Sequence, residues 1–219
     1  MYIAVVDHEG AVLMGESRQA VRVLLVSGST RGSSTNTAAL RTAVLAAPDE
    51  VEAVLYEGLA GLPAFTPDED PERPHPAVRV LRERITAADA VVFSTPEYAG
   101  ALPGSFKNLL DWTVGGGELN RKPVAWINVA APGRGDAAYA ELAKVLGYVD
   151  AVIVDECCVR LPVARDAVGA DGSVADAQFR ARLTDVLGTL ARRLAAHAGR
   201  AAPGGREVAA EPVSVTLRR

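Results

Sequence analysis

The chain reads VRVLLVS at residues 21–27 and GSTRGSSTN at residues 28–36. An apolar run that leads into a Gly/Ser/Thr turn and a helical pattern predicts a strand, a tight turn and a helix start. Such a turn points free backbone N–H groups and the positive helix end at one small volume, where an anion can bind. The hydroxyl groups and the planar guanidinium of Arg31 add donors suited to phosphate oxygens. An ordinary capped turn is the alternative, because Ser, Thr and Asn favour helix starts without any ligand.

The turn matches neither of the two commonest phosphate signatures. A nucleoside-triphosphate loop needs a Lys directly after its second glycine, and a dinucleotide fingerprint needs Gly-x-Gly-x-x-Gly; residues 28–36 contain neither pattern. A hydroxyl-rich loop with one Arg fits a terminal monophosphate better. Flavin mononucleotide (FMN) is the usual ligand of that type on a doubly wound sheet, where it lies beyond the carboxyl ends of the strands.

Apolar segments alternate with helical segments along the chain. This alternation predicts an α/β fold with a parallel sheet, helices on both faces and right-handed crossovers. The expected architecture is flavodoxin-like: a doubly wound five-stranded parallel sheet in the order 2-1-3-4-5. The predicted strands cover residues 21–27, 52–56, 90–94, 124–130 and 152–159, and the predicted helices cover residues 37–46, 77–88, 103–113, 137–146 and 175–197.

The remaining segments and the composition narrow the function. Residues 1–20 are interpreted as an N-terminal extension, residues 21–198 as one FMN-binding domain and residues 199–219 as a flexible tail. A net charge of −4 argues against binding to nucleic acid or an anionic membrane. No membrane-spanning or signal-peptide pattern is found, so a cytoplasmic location is expected. Cys157 and Cys158, adjacent in the last predicted strand, are interpreted as packing residues, and no histidine has metal-ligand spacing.

A second motif follows the third predicted strand. It combines rigid prolines, flexible glycines and an aromatic side chain, which suits a flat tricyclic ring that needs N–H donors when reduced. Over about residues 21–197 the chain resembles the NAD(P)H-dependent FMN reductases, a flavodoxin-like family that includes quinone, chromate and azo-dye reductases. The first motif is met by Gly28, Ser29, Arg31, Ser34 and Asn36, and the second by Pro96, Glu97, Tyr98, Pro103, Gly104, Lys107, Asn108, Asp111 and Trp112.

The resemblance implies a function and a set of site residues. Hydride would pass from NADPH or NADH to FMN, and electrons would then pass to a small acceptor such as a quinone or free flavin, with no catalytic residue from the protein. A homodimer or homotetramer is implied, with Tyr98 near the partner subunit. The FMN phosphate would be held by Ser29, Arg31, Ser34 and Asn36, and the isoalloxazine ring would be lined by Pro96, Glu97, Tyr98 and Gly100.

Some motif residues are interpreted as having no direct part in the chemistry. Glu97 is expected to bind backbone or a partner subunit rather than to transfer protons. The helix after the second motif is expected to use its polar residues and its Trp for fold support or subunit contact. These residues are Lys107, Asn108, Asp111 and Trp112.

The chain also departs from the family pattern. Many members have Asn where this chain has Ala99, and Ser or Thr where it has Ala131. Loss of two polar contacts predicts either weaker FMN binding or greater use of backbone groups. Arg134 is interpreted as an exposed turn residue, with contact to the nicotinamide cofactor's phosphate as the alternative. A flavin-free interaction domain therefore stays open as an alternative function. A non-enzymatic FMN electron carrier is a further alternative, against which the modest net charge of −4 and the second motif argue, because such carriers tend to be strongly acidic.

Overall fold

A parallel sheet forms the centre of the structure, a computed structural model that describes residues 3–6, 12–15, 20–68 and 74–201. The strands are β1 (Ile3–Val6), β2 (Val12–Gly15), β3 (Val21–Ser27), β4 (Val51–Tyr56), β5 (Ala90–Ser94), β6 (Pro123–Asn128), β7 (Val152–Ile153) and β8 (Val159–Arg160). The strand order is β4-β3-β5-β6-β7, with all neighbours parallel. Counted from β3, this is the order 2-1-3-4-5, so the predicted fold is confirmed. Strands β1 and β2 pair with each other as a separate two-stranded antiparallel sheet.

Helices cover both faces of the sheet. They are α1 (Thr35–Leu45), α2 (Pro76–Ala87), α3 (Gly104–Val114), α4 (Asp136–Tyr148) and α5 (Ala177–Ala201). Successive side chains of a strand point to opposite faces, so in β3 Val23 and Leu25 pack in the layer of α1 and α5. Leu24 and Val26 pack in the layer of α2, α3 and α4. The uninterrupted apolar run of β3 is therefore buried on both sides.

The fifth strand position differs from its prediction. Instead of one strand over residues 152–159, β7 pairs with the start of β6 and β8 pairs with its end, and a 3-10 turn at Asp155–Cys157 separates them. An unbroken strand would point one of the adjacent carboxylates, Asp155 or Glu156, into a packed face, and burial of an unpaired charge is costly. The turn leaves both carboxylates exposed and lets Cys157 pack inward.

The two cysteines are free thiols, as the packing interpretation requires. Cys157 is buried under α5, and burial raises its pKa to about 11. Cys158 is half-buried, and burial raises its pKa to about 12. The prediction that both lie in a strand was wrong, because Cys157 ends a 3-10 turn and Cys158 precedes β8. Both thiols are neutral near pH 7 and therefore poor nucleophiles.

Helix bounds shift slightly from the prediction, and part of the chain lies outside the described residues. Helix α1 begins at Thr35 rather than at 37, and α5 continues to Ala201 rather than 197. His8, most of the predicted extension 1–20 and the tail from 202 to 219 lie outside the described residues, so the domain division stays a prediction. Within the described part, no helix is long and apolar enough to cross a membrane.

Candidate active site

Three strands end on buried polar residues at one edge of the sheet. β3 ends at Ser27, β5 at Ser94 and β6 at Asn128. The loops that follow these strands border a cavity of about 430 Å³, within the range of small-molecule sites. Its lining residues are Thr35, Asn36, Thr95, Pro96, Glu97, Val129, Ala130, Gly133, Arg134 and Gly135. A larger cavity of about 580 Å³, between the segment after β8 and the start of α5, is lined by none of these residues.

The first loop ends in a capped helix start. Ser34 is the N-cap of α1, and its Oγ accepts a hydrogen bond from the backbone N of Thr37 at 3.3 Å. The Oγ of Ser29 accepts from the backbone N of Arg31 at 3.3 Å, and the Arg31 side chain is exposed. The capped turn is therefore observed. Capping does not satisfy every N–H group of a first turn, and the positive helix end faces this loop.

The first and second loops are in close contact at Gly28. Its backbone N donates to the carbonyl oxygen of Ser94 at 2.8 Å. A Cβ at this position would lie 2.3 Å from Thr95 Oγ1 and 2.9 Å from Phe106 Cγ. The first glycine of the motif is therefore required by the approach of the second loop, whatever the ligand.

A buried hydrogen-bond network joins α1 and α4 to the ends of β5 and β6 beneath the loops. Asn36 is 6% exposed, and its Oδ1 lies 2.9 Å from Ser94 Oγ. The hydroxyl of Tyr139 on α4 donates to the carbonyl oxygen of Ile127 at 2.8 Å and accepts from the backbone N of Thr95 at 3.1 Å. Burial raises the pKa of Tyr139 to about 12, so this hydroxyl stays protonated. The Asn36 side chain is thus engaged in fixing the second loop.

The second loop contains a tight turn. Tyr98 and Ala101 exchange two backbone hydrogen bonds of 3.0 Å, and the residues between them, Ala99 and Gly100, have φ of 53° and 74°. Positive φ at both central residues defines a type I′ turn, for which Asn-Gly is the favoured pair. An Asn at position 99 would therefore fit this turn, whereas the sequence interpretation treated it as a polar contact to FMN. Tyr98 is 51% exposed on this turn.

Glu97 binds the start of α4. Its Oε2 accepts hydrogen bonds from the backbone N of Ala137 at 3.0 Å and of Ala138 at 3.3 Å. A carboxylate is stabilised at a helix N-terminus by free N–H groups and by the helix dipole. The backbone-binding interpretation of Glu97 is confirmed, and the second loop is thereby tied to α4.

The third loop is held by a residue that sequence reasoning missed. Arg160, at the end of β8, donates from Nη1 to three carbonyl oxygens, and its Nη2 pairs with a carboxylate. The acceptors are the carbonyl oxygens of Ala130 at 3.1 Å, Ala131 at 3.1 Å and Arg134 at 2.8 Å, and the carboxylate of Asp136. The sequence feature that could have indicated this role is the place of Arg160 directly after the last predicted strand, at the edge of the sheet where the loops lie. Arg134 itself is exposed, as predicted.

The helix after the second motif has a supporting role. Asn108 Nδ2 and Trp112 Nε1 both donate to the carbonyl oxygen of Pro63, at 2.8 and 2.9 Å, and Asn108 Oδ1 accepts from the backbone N of Phe65 at 2.7 Å. Trp112 is 1% exposed and makes an edge contact with the ring of Phe65. Lys107 forms an ion pair with Asp111, which lies one turn further along α3. The Asn and Trp side chains fix the loop after β4, so their fold-supporting interpretation is confirmed.

The predicted site residues fall into three groups. Asn36, Pro96 and Glu97 line the cavity. The adjoining first loop contains three more: Ser29, Arg31 and Ser34. The exposed turn of the second loop contains the last two, Tyr98 and Gly100. Tyr139 and Arg160 were missed because a Tyr on a helix and an Arg after a strand carry no motif of their own.

Comparison with known proteins identifies the family of this site. A family model described as NADPH-dependent FMN reductase matches residues 21–166, which include all three loops. The chain belongs to this family. The prediction of an NAD(P)H-dependent FMN oxidoreductase is therefore confirmed.

Relatives and solved structures agree with the family. An NAD(P)H-dependent FMN reductase of Pseudomonas aeruginosa is 33% identical over 173 residues, covering 78% of this chain and 93% of the relative. A quinone reductase of Escherichia coli is 34% identical over 148 residues, covering 65% of this chain and 77% of the relative. The structure of FerB, a flavoenzyme NAD(P)H:(acceptor) oxidoreductase from Paracoccus denitrificans, superposes with a TM-score of 0.63 at 29% identity, covering 81% of this chain and 99% of FerB.

Proposed function

We propose that FMN binds across the three loops, with its phosphate at the start of α1 and its ring in the 430 Å³ cavity. The observation that carries this proposal is the difference in polarity between the two parts of the proposed site, the start of α1 and the cavity. The α1 end offers backbone N–H groups, hydroxyls and the exposed guanidinium of Arg31, which are donors for a phosphate. The other end offers Pro96, Val129, Ala130 and glycine backbone, which form surfaces suited to a flat ring.

Each predicted residue has a proposed contribution to FMN binding. Ser29, Arg31, Ser34 and the backbone of Asn36 hold the phosphate, while the Asn36 side chain fixes the second loop through Ser94. Pro96 and Glu97 border the ring, and the turn that carries Tyr98 and Gly100 closes the outer rim of the site. The residues in these roles are Ser29, Arg31, Ser34, Asn36, Pro96, Glu97, Tyr98 and Gly100.

The protein's part in the reaction is binding and orientation. Bound FMN supplies the redox chemistry, accepting hydride from NAD(P)H and passing electrons to an acceptor. The ionisable side chains among the cavity-lining residues are Glu97 and Arg134. The Glu97 carboxylate is already engaged by two backbone N–H groups of α4. No proton transfer through a side chain is therefore proposed.

We further propose a small quinone-like acceptor and a homodimer or homotetramer. Support for the acceptor comes from the quinone reductase of Escherichia coli and from the open position of the cavity at the loop edge. Support for the oligomer is the half-exposed Tyr98 on a rigid turn, since exposed aromatic side chains are common at subunit interfaces. A cytoplasmic location stays a prediction of the sequence.

Anaerobic addition of NADPH to the FMN-loaded protein tests the proposed function. We expect loss of the flavin absorbance band at about 450 nm, followed by recovery when a quinone is added. A flavin that binds but keeps its band with both NADPH and NADH would indicate an electron carrier instead. A protein that binds no FMN would indicate a flavin-free domain.

A further inference from the structure

The loop between β6 and α4 has little rigidity of its own. Gly133 and Gly135 both have positive φ, 75° and 80°, and the loop runs from 129 to 135 without regular structure. Glycine loses more conformational freedom on folding than other residues, so such a loop needs external contacts to hold one conformation. Ala131 offers no hydroxyl for this purpose.

Arg160 provides those contacts from outside the loop. Its side chain is 29% exposed and engages three carbonyl oxygens and one carboxylate of the segment from Ala130 to Asp136. A guanidinium has five N–H donors in a fixed planar arrangement, whereas a lysine ammonium has three on a flexible stem. Four acceptors spread over a loop therefore suit Arg better than Lys.

The polar backbone groups of the loop divide into those with a protein partner and those without one. Its guanidinium occupies carbonyl oxygens, the N–H of Ala130 donates to Asn128, and the N–H of Arg134 donates to the carbonyl oxygen of Ala131. Within the described residues, the N–H groups of Gly133 and Gly135 donate to no protein acceptor. Both glycines line the 430 Å³ cavity. The loop thus presents unused donors beside the cavity, while the carbonyl oxygens of Ala130, Ala131 and Arg134 are occupied by Arg160.

We propose that Arg160 is the positioning residue of the third loop and that it sets flavin affinity by holding these backbone donors in place. The affinity part of this inference rests on the proposed function. Fixed backbone donors are worth more to a ligand than mobile ones, because no ordering cost is incurred on binding.

The test compares Arg160→Gln and Arg160→Lys with a matched control, Arg82→Gln. Arg82 is 23% exposed, donates from Nε to the carbonyl oxygen of Trp112 at 3.1 Å and pairs with Glu118 at 3.5 Å. It has similar burial and similar acceptors, but it contacts the end of α3 remote from the loops. Its carboxylate partner is 8% exposed, against 68% for Asp136, so Arg82→Gln is expected to cost at least as much general stability. A change confined to Arg160→Gln is therefore not a general loss of stability.

Two readouts are measured on each variant. The first is the Kd for FMN by quenching of flavin fluorescence; we expect an increase of about 30-fold for Arg160→Gln, which corresponds to about 2 kcal/mol, and roughly 5-fold for Arg160→Lys. The second is the rate at which trypsin cleaves after Arg134 without flavin, followed by mass spectrometry. We expect this rate to rise by about tenfold or more in Arg160→Gln and to stay at the wild-type value in Arg82→Gln.

Failure of this inference and failure of the proposed function give different results. If the wild type binds no FMN, the proposed function fails, and the tryptic rate still decides whether Arg160 fastens the loop. If the wild type binds FMN but Arg160→Gln binds it within about twofold and resists trypsin, Arg160 is not the positioning residue. Should Arg160→Gln fail to fold, Asp136→Ala removes one of its acceptors. An unchanged Kd and an unchanged cleavage rate in both Asp136→Ala and Arg160→Lys would overturn the inference.

Discussion

Replacing Ala99 by Asn should stabilise the protein in the absence of any ligand. Ala99 has φ of 53° at the first central position of the type I′ turn. A left-handed conformation costs a non-glycine residue about 1–2 kcal/mol, and Asn is among the residues that tolerate it best. We therefore expect a gain of about 1 kcal/mol for Ala99→Asn, which raises Tm by roughly 2–4 °C in a chain of this size.

Two further variants separate conformational strain from side-chain contacts. Ala99→Gly removes the strain but adds unfolded-state entropy of about 0.4–1 kcal/mol, so its net gain should be about half that of Ala99→Asn. Gly100 has φ of 74°, and no atom lies within 4 Å of the position that a Cβ would take there, so Gly100→Ala tests strain without steric clash. Its expected cost is about 1 kcal/mol.

The assay is urea unfolding of the FMN-free variants, followed by circular dichroism. The urea concentration at the midpoint should be highest for Ala99→Asn, followed by Ala99→Gly, the wild type and Gly100→Ala. The turn explanation would be wrong if Ala99→Asn left the midpoint unchanged while it lowered the Kd for FMN. In that case an Asn at position 99 would act as a flavin contact rather than as a turn residue.

Further predictions concern the packed floor of the site. Gly28→Ala should destabilise by about 1–3 kcal/mol in urea unfolding, since its Cβ would lie 2.3 Å from Thr95 Oγ1; an unchanged midpoint would contradict that contact. Tyr139→Phe should cost about 1–3 kcal/mol, because the backbone N of Thr95 loses its acceptor. The raised pKa of Tyr139, about 12 against 10.0 in the unfolded chain, stabilises the neutral folded form; this contribution is complete below pH 10 and is lost as pH rises toward 12. Wild-type stability should therefore fall over that window more steeply than that of Tyr139→Phe. Cys157, whose pKa burial raises to about 11, should resist iodoacetamide at pH 8 in the folded protein and react after denaturation.

The sequence predicted those features that depend on local pattern. β5 has the predicted bounds, Ala90–Ser94, because a short run of apolar residues buried on both faces has sharp polar ends. The order of the strands follows from their alternation with helices and from right-handed crossovers. The resemblance of the two motifs to a known family supplied the cofactor.

Features that depend on contacts distant in sequence could not be predicted. Asn36 bonds to Ser94, 58 residues away, and nothing local indicates that its side chain turns inward. Tyr139 meets the end of β5 across 44 residues. The break at Asp155–Cys157 was detectable in principle, because two adjacent carboxylates do not fit a strand buried on both faces. The position of Arg160 depends on that break. Arg160 lies beside the end of β6 because pairing with β6 resumes at β8, after the turn.

The proposed binding mode depends above all on the start of α1 holding the phosphate of FMN. The decisive measurement compares the Kd values of FMN and riboflavin, which differ by that phosphate, in the same preparation. We expect FMN to bind about 100-fold more tightly, a difference of about 2.7 kcal/mol, and Arg31→Gln to narrow this gap while leaving riboflavin affinity unchanged. Equal affinity for the two ligands would show that the phosphate is not bound there.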